Sequence, residues 1–104
     1  MSYPLKVIIL EIVEIFIREK LSTKDEAKLY ASITAIRLGN YDNVFVKPLK
    51  DNIKELIIKN YRFIFFIDNE IVYFSNAFIK KTNKTPKIEM EKVKKIYKII
   101  HNKK

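Results

Sequence analysis

Between Ile9 and Lys20 the polar residues Glu11, Glu14 and Arg18 recur at helical spacing. They leave a wide apolar face of Leu10, Ile12, Val13, Ile15, Phe16 and Ile17. That pattern predicts a largely buried helix, preceded by a short edge strand over Pro4 to Ile8. Thr23 followed by Glu26 has the spacing of a capping box. Leu29, Ile33 and Ile36 then share one face until Gly39, the sole glycine, supplies a C-terminal stop. A helical hairpin therefore comes first.

After the turn cluster from Asn40 to Asn43 the period shortens to that of strands: Val44 to Lys47, Ile53 to Ile58, Tyr61 to Ile67 and Ile71 to Phe78. Lys59 and Asn60 form a two-residue hairpin loop, with Asn tolerating positive φ, and Asp68 to Glu70 form a second turn. These runs predict a meander of antiparallel neighbours. Thr85 is placed to cap a last helix that accepts Pro86 in its first turn, and Met90, Val93, Tyr97 and Ile100 give it an apolar stripe opposite a lysine-rich face. The expected fold class is α+β: two N-terminal helices, a small twisted antiparallel sheet and a C-terminal helix.

The 104 residues suit one domain with a single core. Residues 1–79 carry 11 Lys and Arg against 10 Asp and Glu, and residues 80–104 carry 10 Lys against 2 Glu. The two segments contribute +1 and +8 to the net +9. Clustered cations attract phosphate backbones through counterion release, so nucleic acid is the first partner implied and membrane phosphate the second. An AT-rich genome would also raise the Lys and Ile totals, but it does not account for the clustering.

No cysteine is present, which removes thiolate chemistry and suits a reducing compartment. A lone histidine, His101, cannot build a metal site and reads as a cation at a helix C-terminus. No metal or other cofactor is expected. The run from Leu5 to Ile17 is interrupted by Lys6, Glu11 and Glu14 and is followed by no small-residue cleavage site. The expectation is a cytoplasmic protein with no membrane partner. Glycine-rich phosphate loops are absent, which excludes the common nucleotide-binding fingerprints.

Cleavage of RNA by its own 2′-hydroxyl needs a proton acceptor, a proton donor and cations for the charged transition state. Arg62 near the start of one strand and Lys80 and Lys81 at the end of the next can approach each other, because an antiparallel hairpin places those ends together. Lys80 and Lys81 could equally be a solvated pair guarding a strand edge. Arg62, one of three arginines, must face solvent, Glu55 or a ligand phosphate. Tyr61 and Tyr73 alternate with strand hydrophobics and read as packing residues before base-stacking ones.

Three segments carry a family resemblance. They are Lys47-Pro-Leu-Lys50-Asp-Asn-Ile-Lys54-Glu55-Leu56, Tyr61-Arg62-Phe-Ile-Phe-Phe, and Ala77-Phe78-Ile-Lys80-Lys81-Thr82-Asn-Lys84-Thr85-Pro86. Together they resemble the HigB-type toxins of the RelE/ParE superfamily, from about Leu10 to Tyr97. The resemblance implies a type II toxin: a metal-independent, ribosome-dependent mRNA endonuclease that inhibits translation. A HigA-like antitoxin, the ribosome and mRNA are the implied partners.

It further implies catalytic roles for Arg62, Lys80, Lys81 and Glu55, with Arg62 on the scissile phosphate and Glu55 orienting the cations. Lys47, Lys50, Lys54, Thr82 and Lys84 would contact RNA. Two positions depart from the pattern. Ile57 stands where the family usually places arginine after Glu-Leu, and Asn52 replaces the usual glycine. Two alternatives stay open: a gyrase inhibitor of the ParE kind, which would share the fold, and, favoured by Ile57, a degenerate toxin that only binds antitoxin or RNA.

Overall fold

A computed structural model of the chain describes residues 3–103. The elements run β1 (Lys6–Ile9), α1 (Glu11–Lys20), α2 (Thr23–Arg37), β2 (Val46–Lys50), β3 (Ile53–Ile58), β4 (Tyr61–Asp68), β5 (Ile71–Ile79) and α3 (Lys87–Asn102). The sheet order is β1-β5-β4-β3-β2. The expected meander is present, every successive pair from β2 to β5 being antiparallel. β1 joins parallel to β5, so the five-stranded sheet is mixed.

Several boundaries differ from the sequence reading, each for a local reason. Ile9 belongs to β1 and Leu10 precedes the helix, because the Leu10 N–H bonds the Phe74 carbonyl at 3.1 Å and completes the parallel ladder. The cap of α2 is Ser22, whose hydroxyl accepts the Asp25 N–H at 3.1 Å, and Thr23 is the first helical residue. Both registers offer the same three-residue spacing to an acidic residue, Ser22 to Asp25 and Thr23 to Glu26, and Asp25 also pairs with Lys59 at 2.9 Å. Gly39 does end α2. With φ at 75° it bonds Ile36 while Asn40 bonds Ala35, the two hydrogen bonds of a Schellman closure.

In the β3–β4 turn the left-handed residue is Lys59, at φ 54°, and not Asn60. In the β2–β3 turn it is Asp51, and not Asn52. Asn69 and Glu70 both adopt positive φ between β4 and β5, as a tight hairpin requires.

Alternation along the strands divides the apolar residues between two faces. Leu56, Ile58, Phe63, Phe65, Val72 and Phe74 meet Val13, Ile17, Leu29, Ile33 and Ile36 of α1 and α2. On the other face Ile53, Ile64, Phe66 and Phe78 meet Val93 of α3, with Met90, Tyr97 and Ile100 packed around them. Tyr61 and Tyr73 are packing residues. Tyr61 meets Phe16 edge-on at 6.0 Å and donates its hydroxyl to the Lys20 carbonyl, and Tyr73 stacks on Phe66 at 5.3 Å.

His101 lies in the last turn of α3, as expected, and its side chain turns to the sheet. Its Nδ1 lies 3.3 Å from Asp68 Oδ1, and its ring stacks on Tyr97, which pins the end of α3 to the end of β4. The start of α3 is tied down by Asn76, whose amide donates to the Glu89 carboxylate and carbonyl at 2.9 and 3.2 Å. A bulge between Ile64 and Phe65 accommodates Ser75 as the extra residue of β5 and keeps Asn76 and Phe78 on the α3 face. Among the described residues no helix is long and apolar enough to cross a membrane.

Candidate functional site

A fully buried carboxylate is costly unless cations and donors compensate it. Glu55, at the middle of β3 on the α3 face, has no exposed surface. Arg62 and Lys80 approach the same carboxylate oxygen: Arg62 Nε lies 3.6 Å and Lys80 Nζ 3.9 Å from Oε1. The hairpin geometry brings them there. Arg62 opposes Ile57, next on this face from Glu55, and the Lys80 N–H extends the β4–β5 ladder by bonding the Asn60 carbonyl at 2.7 Å.

The two carboxylate oxygens are treated differently. Oε2 accepts the Thr85 hydroxyl at 2.9 Å. Oε1 has no hydrogen-bond partner, and neither has Arg62 Nε, because 3.6 Å exceeds hydrogen-bond range. Backbone holds the guanidinium instead: Arg62 Nη1 donates to the Lys59 and Tyr61 carbonyls at 2.7 and 3.0 Å. Lys59 is itself clamped by Asp25 at 2.9 Å. The cluster thus contains one buried carboxylate and two cations, an excess of one positive charge that favours an anion nearby.

Of the expected site residues, Arg62, Lys80 and Glu55 converge. Lys81 is exposed and joins no ion pair with Glu55. Lys47 opposes Glu55 across the β2–β3 ladder, which puts it on the same face, and Lys47 and Lys50 are both exposed. Lys54 lies on the other face, because neighbours in a strand alternate. It sits 5.6 Å from the Tyr41 ring centre, beside a hollow lined by Tyr41, Val44, Val46 and Pro48. Thr82 donates its hydroxyl to the Lys84 carbonyl at 3.0 Å and so closes its own loop, while Lys84 is exposed.

Thr85 is the member that sequence reasoning assigned elsewhere. It does not cap α3, whose N-cap position is Pro86 with no side-chain cap. The local Thr-Pro signal reads as a helix start, and only the return of the loop over β3 carries the hydroxyl to Glu55. Among the described residues no three His, Asp or Glu side chains are grouped to hold a metal ion.

Fold and cluster together define a small α+β domain whose basic site is assembled on one face of a mixed sheet. The chain belongs to the family of phage-derived Gp49-like proteins (DUF891), whose model matches residues 18–98 and so includes every residue of the cluster. That family is toxin-like and related to the HigB and RelE toxins. A comparison with curated proteins gave no match.

Proposed function

We propose that this protein is the toxin of a type II toxin-antitoxin system of the HigB kind, a metal-independent endoribonuclease that cuts mRNA at the ribosome. The observation that carries this reading is the convergence of Arg62 and Lys80 on a buried Glu55 that neutralises only one of them. The family relation supports the ribosome as the place of action and a HigA-like antitoxin as the neutralising partner.

In the proposed reaction the RNA 2′-hydroxyl gives its proton to a base and bonds to the adjacent phosphorus as the bond to the 5′-oxygen breaks, and the 5′-oxygen takes up a proton from an acid, leaving a cyclic phosphate end. Negative charge accumulates on the non-bridging oxygens, where Arg62 and Lys80 would stabilise it. One such preorganised cation is worth on the order of 3 kcal/mol in the barrier. Glu55 has no exposed surface, so its part is to position the cations. Lys47, Lys50, Lys81 and Lys84 would hold the flanking phosphates.

A second reading has its own observation. Ile57 stands directly opposite Arg62 and is half-buried, so the position that would supply another cation is apolar. This favours a toxin that binds RNA or antitoxin and no longer cuts. Primer extension on a reporter mRNA, after brief induction of the chain in bacteria, separates the two. The expected result is cuts within translated codons that vanish for Arg62→Ala, with circular dichroism confirming that the variant folds. Intact mRNA would sink the nuclease reading. Growth arrest with DNA damage would then indicate a gyrase inhibitor, and normal growth a binding-only toxin.

A further inference from the structure

Phe45 is the most exposed large hydrophobic among the described residues, at 70 %. It directly precedes β2, and its carbonyl accepts the Ile57 N–H at 2.9 Å, which continues the β2–β3 ladder by one position. Val46 packs towards α1 and α2, so alternation puts Phe45 on the opposite face, the one that carries Glu55 and Arg62. A row therefore crosses this face: Phe45 at the sheet edge, then Ile57, then Arg62. Adjacent strands are spaced by about 4.8 Å, so backbone positions at the ends of the row are about 10 Å apart.

We propose that Phe45, with Ile57 as the apolar floor beside it, is a stacking platform for a base of single-stranded RNA whose neighbouring phosphate lies at Arg62. The inference rests on the RNA-directed reading above and adds the feature that selects an unpaired strand. An aromatic face held open beside cations is the combination by which proteins grip single strands, since a base in a duplex cannot turn onto a ring. Charge complementarity selects RNA over an apolar protein partner: Lys47 lies on the same face two residues along, and Arg62 and Lys80 share a single carboxylate. Ile57 then supplies an aliphatic surface between ring and guanidinium for the base to rest on.

The chain contains no tryptophan, so Phe45→Trp introduces a single tryptophan at the platform, which can be excited selectively over the six tyrosines. The wild type, Phe45→Ala and Phe45→Trp are titrated with a labelled ten-nucleotide oligoadenylate and with an abasic oligomer of the same length and charge. Phe45→Ala is expected to bind oligoadenylate about tenfold more weakly, with an unchanged salt slope. Phe45→Trp is expected to restore affinity and to be quenched by oligoadenylate but not by the abasic oligomer.

Equal affinity of wild type and Phe45→Ala, or an unquenched tryptophan, would overturn the platform. Failure of the wild type to bind oligoadenylate would overturn it as well. If Phe45→Ala changes the sedimentation of the free protein but not its RNA affinity, the ring is a protein contact and the proposal fails. The nuclease reading fails separately: quenching with intact mRNA in the primer-extension assay would leave the platform standing on a toxin that binds without cutting.

Discussion

Ile57 and Arg62 are direct cross-strand partners on the face of the sheet that carries Glu55. The missing arginine of the HigB-like pattern is therefore missing at the site itself, beside the guanidinium that remains. Because Ile57 is half-buried and flanked by strands on both sides, its side chain has space only above this face.

Ile57→Arg should add a phosphate contact where the resemblance expects one. The slope of log affinity against log salt for an oligoribonucleotide should steepen by roughly 0.7, the increment for one further phosphate on a single strand. Like charges placed opposite each other in a ladder repel, so a lower thermal midpoint should accompany it, a loss of up to about 1 kcal/mol. Affinity titrations at several salt concentrations decide the matter, and an unchanged slope would show that RNA phosphates do not pass over this row.

Glu55→Gln should keep a hydrogen bond with Thr85 and lose both ion pairs. Breaking a buried pair leaves uncompensated charge. Both cations retain a little solvent access, so the cost should fall near the low end for such changes, about 3 kcal/mol in urea denaturation. Combining it with Lys80→Gln should recover part of that loss. A double variant that is worse than the single one by the full effect of Lys80→Gln alone would mean that the two residues do not interact.

Acid should weaken the clamp between Asp25 and Lys59, and only below the ordinary carboxylate range. The hydrogen bond from Lys59 holds the Asp25 carboxyl below its ordinary 3.8, and the same contact raises the Lys59 ammonium above its ordinary 10.5. A depressed carboxyl contributes stability above its unfolded value and loses it as pH falls through the folded one. The raised lysine contributes below its unfolded value and loses it as pH rises through its folded one. The wild type should thus exceed Asp25→Asn in stability between about pH 5 and about pH 9, and the gap should close below the ordinary 3.8. The gap should be small, since the Lys59 side chain is 61 % exposed. Urea midpoints of both proteins across that range test it, and a gap that persists at the acid end would assign the effect to something other than this pair.

Periodicity with the turn and cap residues located α1 to α3 and β3 to β5, whereas β2 runs Val46–Lys50 and not Val44 to Lys47. The apolar stripe of α3, the two-residue turn between β3 and β4 and the Gly39 stop were legible because each depends on residues a few positions apart. The Ser22 cap was misplaced by one residue because Ser22 and Thr23 each have an acidic residue three positions on, so the local spacing fits both registers. Parallel pairing of β1 with β5 was out of reach for a similar reason: its partners, Lys6 and Ile71 at one end and Ile9 and Phe74 at the other, are separated by the whole helical hairpin and the meander.

The same division runs through the site. Sequence by itself determined that cations would gather at the open end of the β4–β5 hairpin, that Arg62 needed a partner, and that Glu55 was a candidate for it. Only the tertiary structure decided that Glu55 is completely buried, that Lys80 and not Lys81 reaches it, and that Thr85 leaves the helix start to bond it. It also sent Lys54 to the opposite face and set Phe45 at the edge of the row that ends in Arg62. The physical reason is register. A strand's residue types settle whether it pairs, whereas the face each side chain occupies follows from which carbonyl every N–H meets, and a slip of one residue would exchange the two faces.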